Sequence, residues 1–292
     1  MAGFVSWLLA TISPSEPPKR LNKYNIPLPE CCHATLTAET IDNRPVFVVG
    51  DVHGCLEELE ELLQLAKDEH ENPFVVFVGD MINKGPYNIE VLRLVEQMVE
   101  RGQAAAVRGN HEESILRELW SLSDTDRYAL PERYNWLRQL TSKDFTFLQD
   151  LPYTISIPSL GTLIVHAGLV PGVHMLRQSL ESLTHMRNII QEEYFEGRGL
   201  VGTSKLDKGD PWGSLWPGPE HVYFGHDARR SLQRWPKATG LDTGCLYGMD
   251  FSSVNEFVVH DGSTWKYMYP LSDVLHSLQK HSTERCLSQM SC

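Results

Sequence analysis

Val46-Phe47-Val48-Val49-Gly50-Asp51-Val52-His53-Gly54 is the stretch from which the fold of this 292-residue chain is read. Its apolar run, bounded by Pro45 and a glycine, is a short buried strand. The run ends in an acid and an imidazole flanked by glycines, which let the backbone turn sharply. The apolar positions that follow, Leu56, Leu59, Leu62, Leu63 and Ala66, recur at helical spacing. The alternation then repeats: Phe74–Val78 is a strand, Ile89, Leu92, Val95 and Val99 line a helix, and Ala104–Val107 is a third strand before a helix from near Glu112. Such a βαβαβ series implies parallel strands with crossover helices.

The second half reads differently. Tyr153–Ile157, Thr162–His166, Val222–Gly225, Val254–His260 and Thr264–Tyr267 are expected strands, with a helix-rich, irregular insertion around 173–207. A second, mixed sheet packed on the first accounts for both halves. Residues 13–30, rich in Pro, Ser and charge, read as flexible, so 1–40 is expected to be a lead-in. A single catalytic domain over 41–272 and a C-terminal tail over 273–292 complete the organisation.

A hydrophobic fraction of 41% supports a packed core, and the formal net charge of −12 argues against broad nucleic-acid or anionic-membrane binding. A polyanionic substrate therefore needs local help from metals or a confined basic pocket. The six cysteines, Cys31, Cys32, Cys55, Cys245, Cys286 and Cys292, form no C-x-x-C pair, which favours a reducing compartment. A cytoplasmic location follows as the expectation. The apolar stretch Phe4–Ile12 is too short for a transmembrane segment, with organelle targeting as the alternative.

Open α/β sheets bind ligands beyond the carboxyl ends of their strands. Five such ends deliver Asp51 and His53; Asp80; Asn110 and His111; His166; and His226, each beside a glycine. A carboxylate such as Asp80 bridges two divalent ions, imidazoles suit Zn, Fe, Mn or Co, and the Asn110 amide adds a neutral oxygen. Asp51, His53 and either His226 or His166 are assigned to one ion. The remaining imidazole and Asn110 go to the other, and Asp80 lies between them. Paired ions about 3.5–4 Å apart clamp attacking and leaving oxygens and acidify a bound water.

The blocks Gly50–Gly54, Gly79–Gly85, Gly109–Glu112, His166–Gly168 and Gly225-His226 resemble the signature of the phosphoprotein phosphatases, a calcineurin-like metallophosphoesterase superfamily. Gly79-Asp80-Met81-Ile82-Asn83-Lys84-Gly85-Pro86, Val165–Leu169 and Leu241-Asp242-Thr243-Gly244-Cys245 are more similar to the symmetrical diadenosine tetraphosphatases and the ApaH-like phosphatases. The resemblance implies an α/β four-layer α/β/β/α sandwich of two mixed sheets flanked by helices. It supports the six ligands and two divalent metal ions (Mn, Zn, Fe, Co or Mg). It also makes His111 the general acid toward the leaving oxygen, a task suited to histidine.

Two departures from the protein-phosphatase pattern bear on chemistry. Asn83 stands where that pattern has an Asp, so it orients His111 without supplying charge and leaves it less basic. Lys84 replaces the phosphate-binding Arg, a point charge instead of a bidentate fork. Arg108 is a second candidate clamp, and Arg229 and Arg230, after the His226 strand end, are a solvated surface pair or, alternatively, contacts for a polyphosphate chain. Asp242 is expected to support a ligand histidine or a turn, and Cys245 to pack. Trp212 and Trp216 are loop anchors, with base stacking as the alternative.

The expected reaction is hydrolysis of a phosphoanhydride by in-line attack of a metal-bridging hydroxide. A dinucleoside polyphosphate or a cap-like 5′–5′ linkage ranks first as substrate and inorganic polyphosphate second. A serine/threonine protein phosphatase and an inactive binding scaffold are the alternatives. The sequence names no protein partner.

Overall fold

A computed structural model describes residues 20–121, 130–194, 197–245, 257–260 and 265–268. After strand β1 (His33–Thr35) and helix α1 (Ala38–Ile41), the chain runs through β2 (Val46–Val49), α2 (Leu56–Glu69), β3 (Phe74–Phe77), α3 (Asn88–Glu100), β4 (Ala104–Ala106) and α4 (Asn110–Ser121). The expected parallel series is present: Val46 pairs with Phe74 and Val75 with Ala104, both in parallel register. Helix α5 (Ser142–Asp150) follows, with a Thr141–Asp144 capping box at its start. Strands β5 (Thr154–Ile157) and β6 (Thr162–Val165) then open the second sheet.

Alternation of side chains along the strands produces the layers. Phe47, Val49, Val75 and Phe77 face one way and pack with Leu59, Leu62, Leu92, Val95, Ile115 and Leu148 of helices α2–α5. Val46, Val48, Val76 and Val78 face the other way, against Ile155, Ile157, Ile164 and Tyr223 of the second sheet. The outer face of that sheet, Leu163, Val165, Val222 and Phe224, packs on Leu183, Met186, Ile189 and Trp212. Three apolar interfaces thus separate four layers: helices, sheet, sheet, and a mixed outer layer. Burying each such side chain contributes roughly 1.5–3 kcal/mol.

The outer layer corrects the helix-rich expectation for 173–207. Among the described residues only α6 (Leu180–His185) is an α-helix there; β7 (Asn188–Tyr194) and β8 (Gly197–Thr203) pair antiparallel, with β9 (Asp210–Pro211) on the flank of β7. β-Branched Ile189, Ile190 and Val201 favour this extended pairing. After α7 (Trp212–Leu215), strands β10 (His221–Phe224), β11 (Gln233–Trp235) and β12 (Ala238–Gly240) complete a six-stranded sheet of order β1-β5-β6-β10-β12-β11.

The last hairpin, β13 (Phe257–His260) and β14 (Trp265–Met268), joins the first sheet and not the second, giving β14-β13-β2-β3-β4. Strand β13 pairs antiparallel to β2, Val258 opposite Val48, so both sheets are mixed.

The lead-in also differs from expectation. Fully buried Ile26 anchors the segment from residue 20, Asn22 Oδ1 accepts the N–H groups of Tyr24 and Ile26, and β1 is already an edge strand of the second sheet. The stretch Phe4–Ile12 and the tail 273–292 lie outside the described residues. No helix among the described residues is long and apolar enough to cross a membrane.

Candidate active site

The carboxyl ends of β2, β3 and β4 meet those of β6 and β10 around a cavity of about 370 Å³. Asp51, His53, Asp80, Asn110, His111 and His226 line it, and fully buried His166 stands behind. Its turns are tight: His53, Asp80 and His226 have φ of 50°, 51° and 70°, left-handed values that cost non-glycine residues of order 1–3 kcal/mol each. Gly225 is required because a Cβ there would overlap Asp51 Oδ1, and a Cβ on Gly109 would overlap Asp80 Oδ1.

A buried carboxylate stabilises these turns. Glu112 Oε2 accepts the N–H groups of Asp80 and Gly109, both at 2.8 Å, and Oε1 accepts that of Met81 at 2.9 Å. The ends of β3 and β4 are thereby tied to the first turn of α4. Burial and the nearby Asp80 push the Glu112 carboxyl up to about 7, against the pull of His166 and the N–H donors. Sequence reasoning left Glu112 without a role, since an acid in a first helical turn is ordinary.

Three of the imidazoles at the site, His53, His166 and His226, are anchored by the far nitrogen on a backbone carbonyl. His166 Nδ1–H donates to Val78 at 3.0 Å, His226 Nε2–H to His185 at 3.0 Å, and His53 Nδ1–H to Ile82 at 3.3 Å. Carbonyls only accept, so in each neutral ring the other nitrogen turns a lone pair inward. His166 Nε2 and His226 Nδ1 then lie 2.9 and 2.8 Å from Asn110 Oδ1. Three electron-rich atoms face one another there, an arrangement that suits a cation between them.

Asp80 stands between this group and His53, 3.3 Å from His166 Nε2 through Oδ1 and 3.7 Å from His53 Nε2 through Oδ2. Asp51 lies 3.9 Å from His53, while His226 N–H donates to its carboxylate. Asp51, Asp80 and Asp242 are 4%, 2% and 5% exposed. Burial and mutual repulsion hold the Asp51 and Asp242 carboxyls above their ordinary range. This donor set fits divalent cations, which offset the buried charge. Asp80 belongs to two groups that could hold a metal ion, one with His53 and His111 and one with His166 and His226. His166 and His226 converge on Asn110 together, whereas the sequence reading placed one of the two imidazoles with Asp51 and His53. Asp242 accepts the Gly244 N–H at 3.2 Å, the turn role the sequence allowed, and its side chain also meets that of Asp51 and not a histidine.

At the mouth, Asn83 Oδ1 accepts the Lys84 N–H at 3.0 Å, which turns its amide nitrogen to His111 Nδ1 at 2.9 Å. His111 therefore accepts at Nδ1 and carries its proton on Nε2. Burial, with His53 and Lys84 nearby, outweighs Asp80 and brings His111 down to about 4. Lys84 Nζ lies 3.0 Å from His53 Nε2 and lines the cavity with Arg187 and Arg229.

The pattern of the calcineurin-like phosphoesterases matches residues 44–248. The chain belongs to that family. The asymmetrical bis(5′-nucleosyl)-tetraphosphatase PrpE of Oceanobacillus iheyensis is 26% identical over 219 residues, covering 70% of this chain and 85% of that protein. The symmetrical bis(5′-nucleosyl)-tetraphosphatase of Coxiella burnetii is 26% identical over 269 residues, covering 73% and 88%. A crystal structure provisionally described as a diadenosine tetraphosphatase superposes with a TM-score of 0.65 at 34% identity, covering 82% of this chain and 98% of that one. The family is one of metal-dependent phosphohydrolases, and the two-sheet architecture is its fold.

Within this phosphoesterase several expected residues stand elsewhere. Arg108 is fully buried and faces away from the cavity: Nη1 donates to Glu113 at 3.1 Å and to Tyr153 Oη at 3.0 Å, and Nη2 to the Gln149 carbonyl. It ties β4 to α4 and the approach to β5, and it cannot clamp phosphate. Arg230 is turned onto Asp227 and Asn188, leaving Arg229 at the cavity. Trp212, 1% exposed and packed on Phe224 at 4.7 Å, offers no face to a base. Trp216 anchors its loop through an N–H bond to the Glu220 carbonyl at 3.0 Å. Cys245 lies half-buried with Cys55 and Glu58, their ligand atoms within 4.8 Å of one another.

Arg187, which sequence reasoning missed, lines the cavity where Arg108 does not. It sits between α6 and β7, donates to the His226 carbonyl at 3.1 Å, and lies 3.5 Å from Asp227. No glycine-flanked strand end marks it in the sequence.

Proposed function

We propose that this phosphoesterase hydrolyses phosphoanhydride bonds, with dinucleoside polyphosphates as the leading substrate class and cap-like 5′–5′ linkages and inorganic polyphosphate close behind. The observation that carries this reading is the Asn83–His111 pair. An amide, not a carboxylate, faces Nδ1, so His111 is a neutral hydrogen-bond donor through Nε2 and a weak proton source. A serine or threonine alkoxide demands a strong acid as it leaves, whereas a phosphate or nucleotide departs as a stable anion and needs only a donor.

Asp51, His53, Asp80, Asn110, His166 and His226 would hold two divalent ions, with Asp80 shared. When bound, such ions supply Lewis acidity and an activated water for in-line displacement. Lys84, Arg187 and Arg229 offset charge on the non-bridging oxygens, and Asp242 holds Asp51 in place. Asn83 fixes the ring of His111 for its hydrogen bond to the leaving oxygen. The names of the tetraphosphatase relatives support the same class.

The test is a comparison of kcat/KM on diadenosine tetraphosphate, long-chain polyphosphate and a phosphothreonine peptide, with Mn, Co, Zn or Mg supplied. Preference for an anhydride is expected; preference for the peptide would overturn the reading.

A further inference from the structure

The catalytic cavity does not end at His111. A second, half-open cleft of about 140 Å³ shares Asn110 and His111 with it and runs along the first two turns of α4, past Ser114 and Arg117, to Tyr24. Its outer wall is the segment around residue 24, which lies outside the matched family region of residues 44–248. That segment is pinned by buried Ile26 and by the Asn22 side chain, which donates to Glu113. Glu113 is an acid on the cleft wall, but both its oxygens are engaged: one by Asn22, the other by Arg108 and Tyr153. Arg117 makes no ion pair among the described residues, and its guanidinium lies 5.1 Å from the centroid of the Tyr24 ring. A cation is therefore held over an aromatic face at the end of the cleft away from His111.

In an in-line displacement the leaving group departs opposite the attacking oxygen, on the side of its hydrogen-bond donor. That donor is His111 in the reading above, on which this inference rests, and the cleft opens beside it. We propose that the cleft is a leaving-group subsite for a polyphosphate chain, with Arg117 and the Ser114 hydroxyl binding the phosphate next to the scissile bond. Tyr24 is the positioning residue, holding the guanidinium in line. A monoester has no second phosphate to reach Arg117, so the subsite selects for anhydrides by ground-state binding.

Calorimetry on the metal-loaded full chain separates this from the catalytic reading. The tripolyphosphate used is the analogue with methylene groups in place of the bridging oxygens, which the enzyme cannot cleave; it reaches the cleft, whereas orthophosphate fills only the cavity. Arg117→Ala is expected to weaken tripolyphosphate about tenfold and orthophosphate less than about twofold. Arg117→Lys recovers most of the loss, and Tyr24→Ala adds nothing to Arg117→Ala, because it acts through the guanidinium. Equal weakening of both anions, or no weakening of tripolyphosphate, overturns the subsite. A wild-type enzyme inert on diadenosine tetraphosphate sinks the anhydride reading instead, and the tripolyphosphate titrations still decide whether the cleft binds the chain.

Discussion

Replacing Asn83 by Asp tests how the protein has tuned its leaving-group donor. The Asn83 amide nitrogen is 2.9 Å from His111 Nδ1, and its oxygen accepts the Lys84 N–H. An Asp keeps the second bond and puts a carboxylate oxygen where the amide donor was. An opposite charge at that range raises an imidazole pKa by about 1–3 units, or about 1.4–4 kcal/mol in favour of the cation. His111 starts at about 4. With a rise of about two units, its cationic fraction near pH 6 goes from about one in a hundred to about one in two. A phosphomonoester with a poor leaving group, such as phenyl phosphate, should then gain about tenfold or more in kcat near that pH. Diadenosine tetraphosphate, whose leaving group needs no proton, should change by less than about threefold. Paired pH–rate profiles and a histidine NMR titration read this out. Equal gains on both substrates, or an unmoved His111 titration, would refute the reasoning.

Arg187→Ala should lower kcat/KM on an anhydride by about 30–100-fold, the worth of a charge-assisted contact to phosphate, and Arg187→Lys should recover only part because the fork is lost. Glu112→Gln turns an amide NH₂ toward buried N–H donors and should cost about 2–3 kcal/mol in denaturant unfolding, without the cavity losing its shape in ligand titrations. Asp144 is pushed up by burial, but hydrogen bonds from Arg93 and Thr141 outweigh this and hold its carboxyl below the ordinary range. Its stabilisation is therefore present above the unfolded pKa of about 3.9 and disappears as pH falls through the folded value. Asp144→Asn should cost about 1 kcal/mol at neutral pH and converge with wild type in acid unfolding curves.

The candidate residues that gather at the cavity were legible because each sits at a strand end with a glycine within two residues, a property written in a few consecutive positions. The apolar runs and helical spacings behind the parallel series β2-β3-β4 are local in the same sense. Arg108 misled for a geometric reason: next to Gly109-Asn110-His111 in sequence, its side chain leaves the strand on the face opposite the cavity, where Glu113 and Tyr153 receive it. Arg187 was invisible because the fold brings it in from an outer-layer hairpin. The C-terminal hairpin was readable as two strands, but its place beside β2 depends on the Val258–Val48 pairing across the chain. In the lead-in, composition pointed to a flexible segment, yet from residue 20 buried Ile26 docks it and His33–Thr35 pairs as a strand, contacts that no local composition records.

Metal stoichiometry of the purified chain tests the central claim most directly. Equilibrium dialysis against manganese should give two ions per wild-type chain and one or none in Asp80→Asn, because Asp80 is the carboxylate shared by both ligand groups. A wild-type chain that saturates at one ion, or an Asp80→Asn chain that still holds two, would contradict the account.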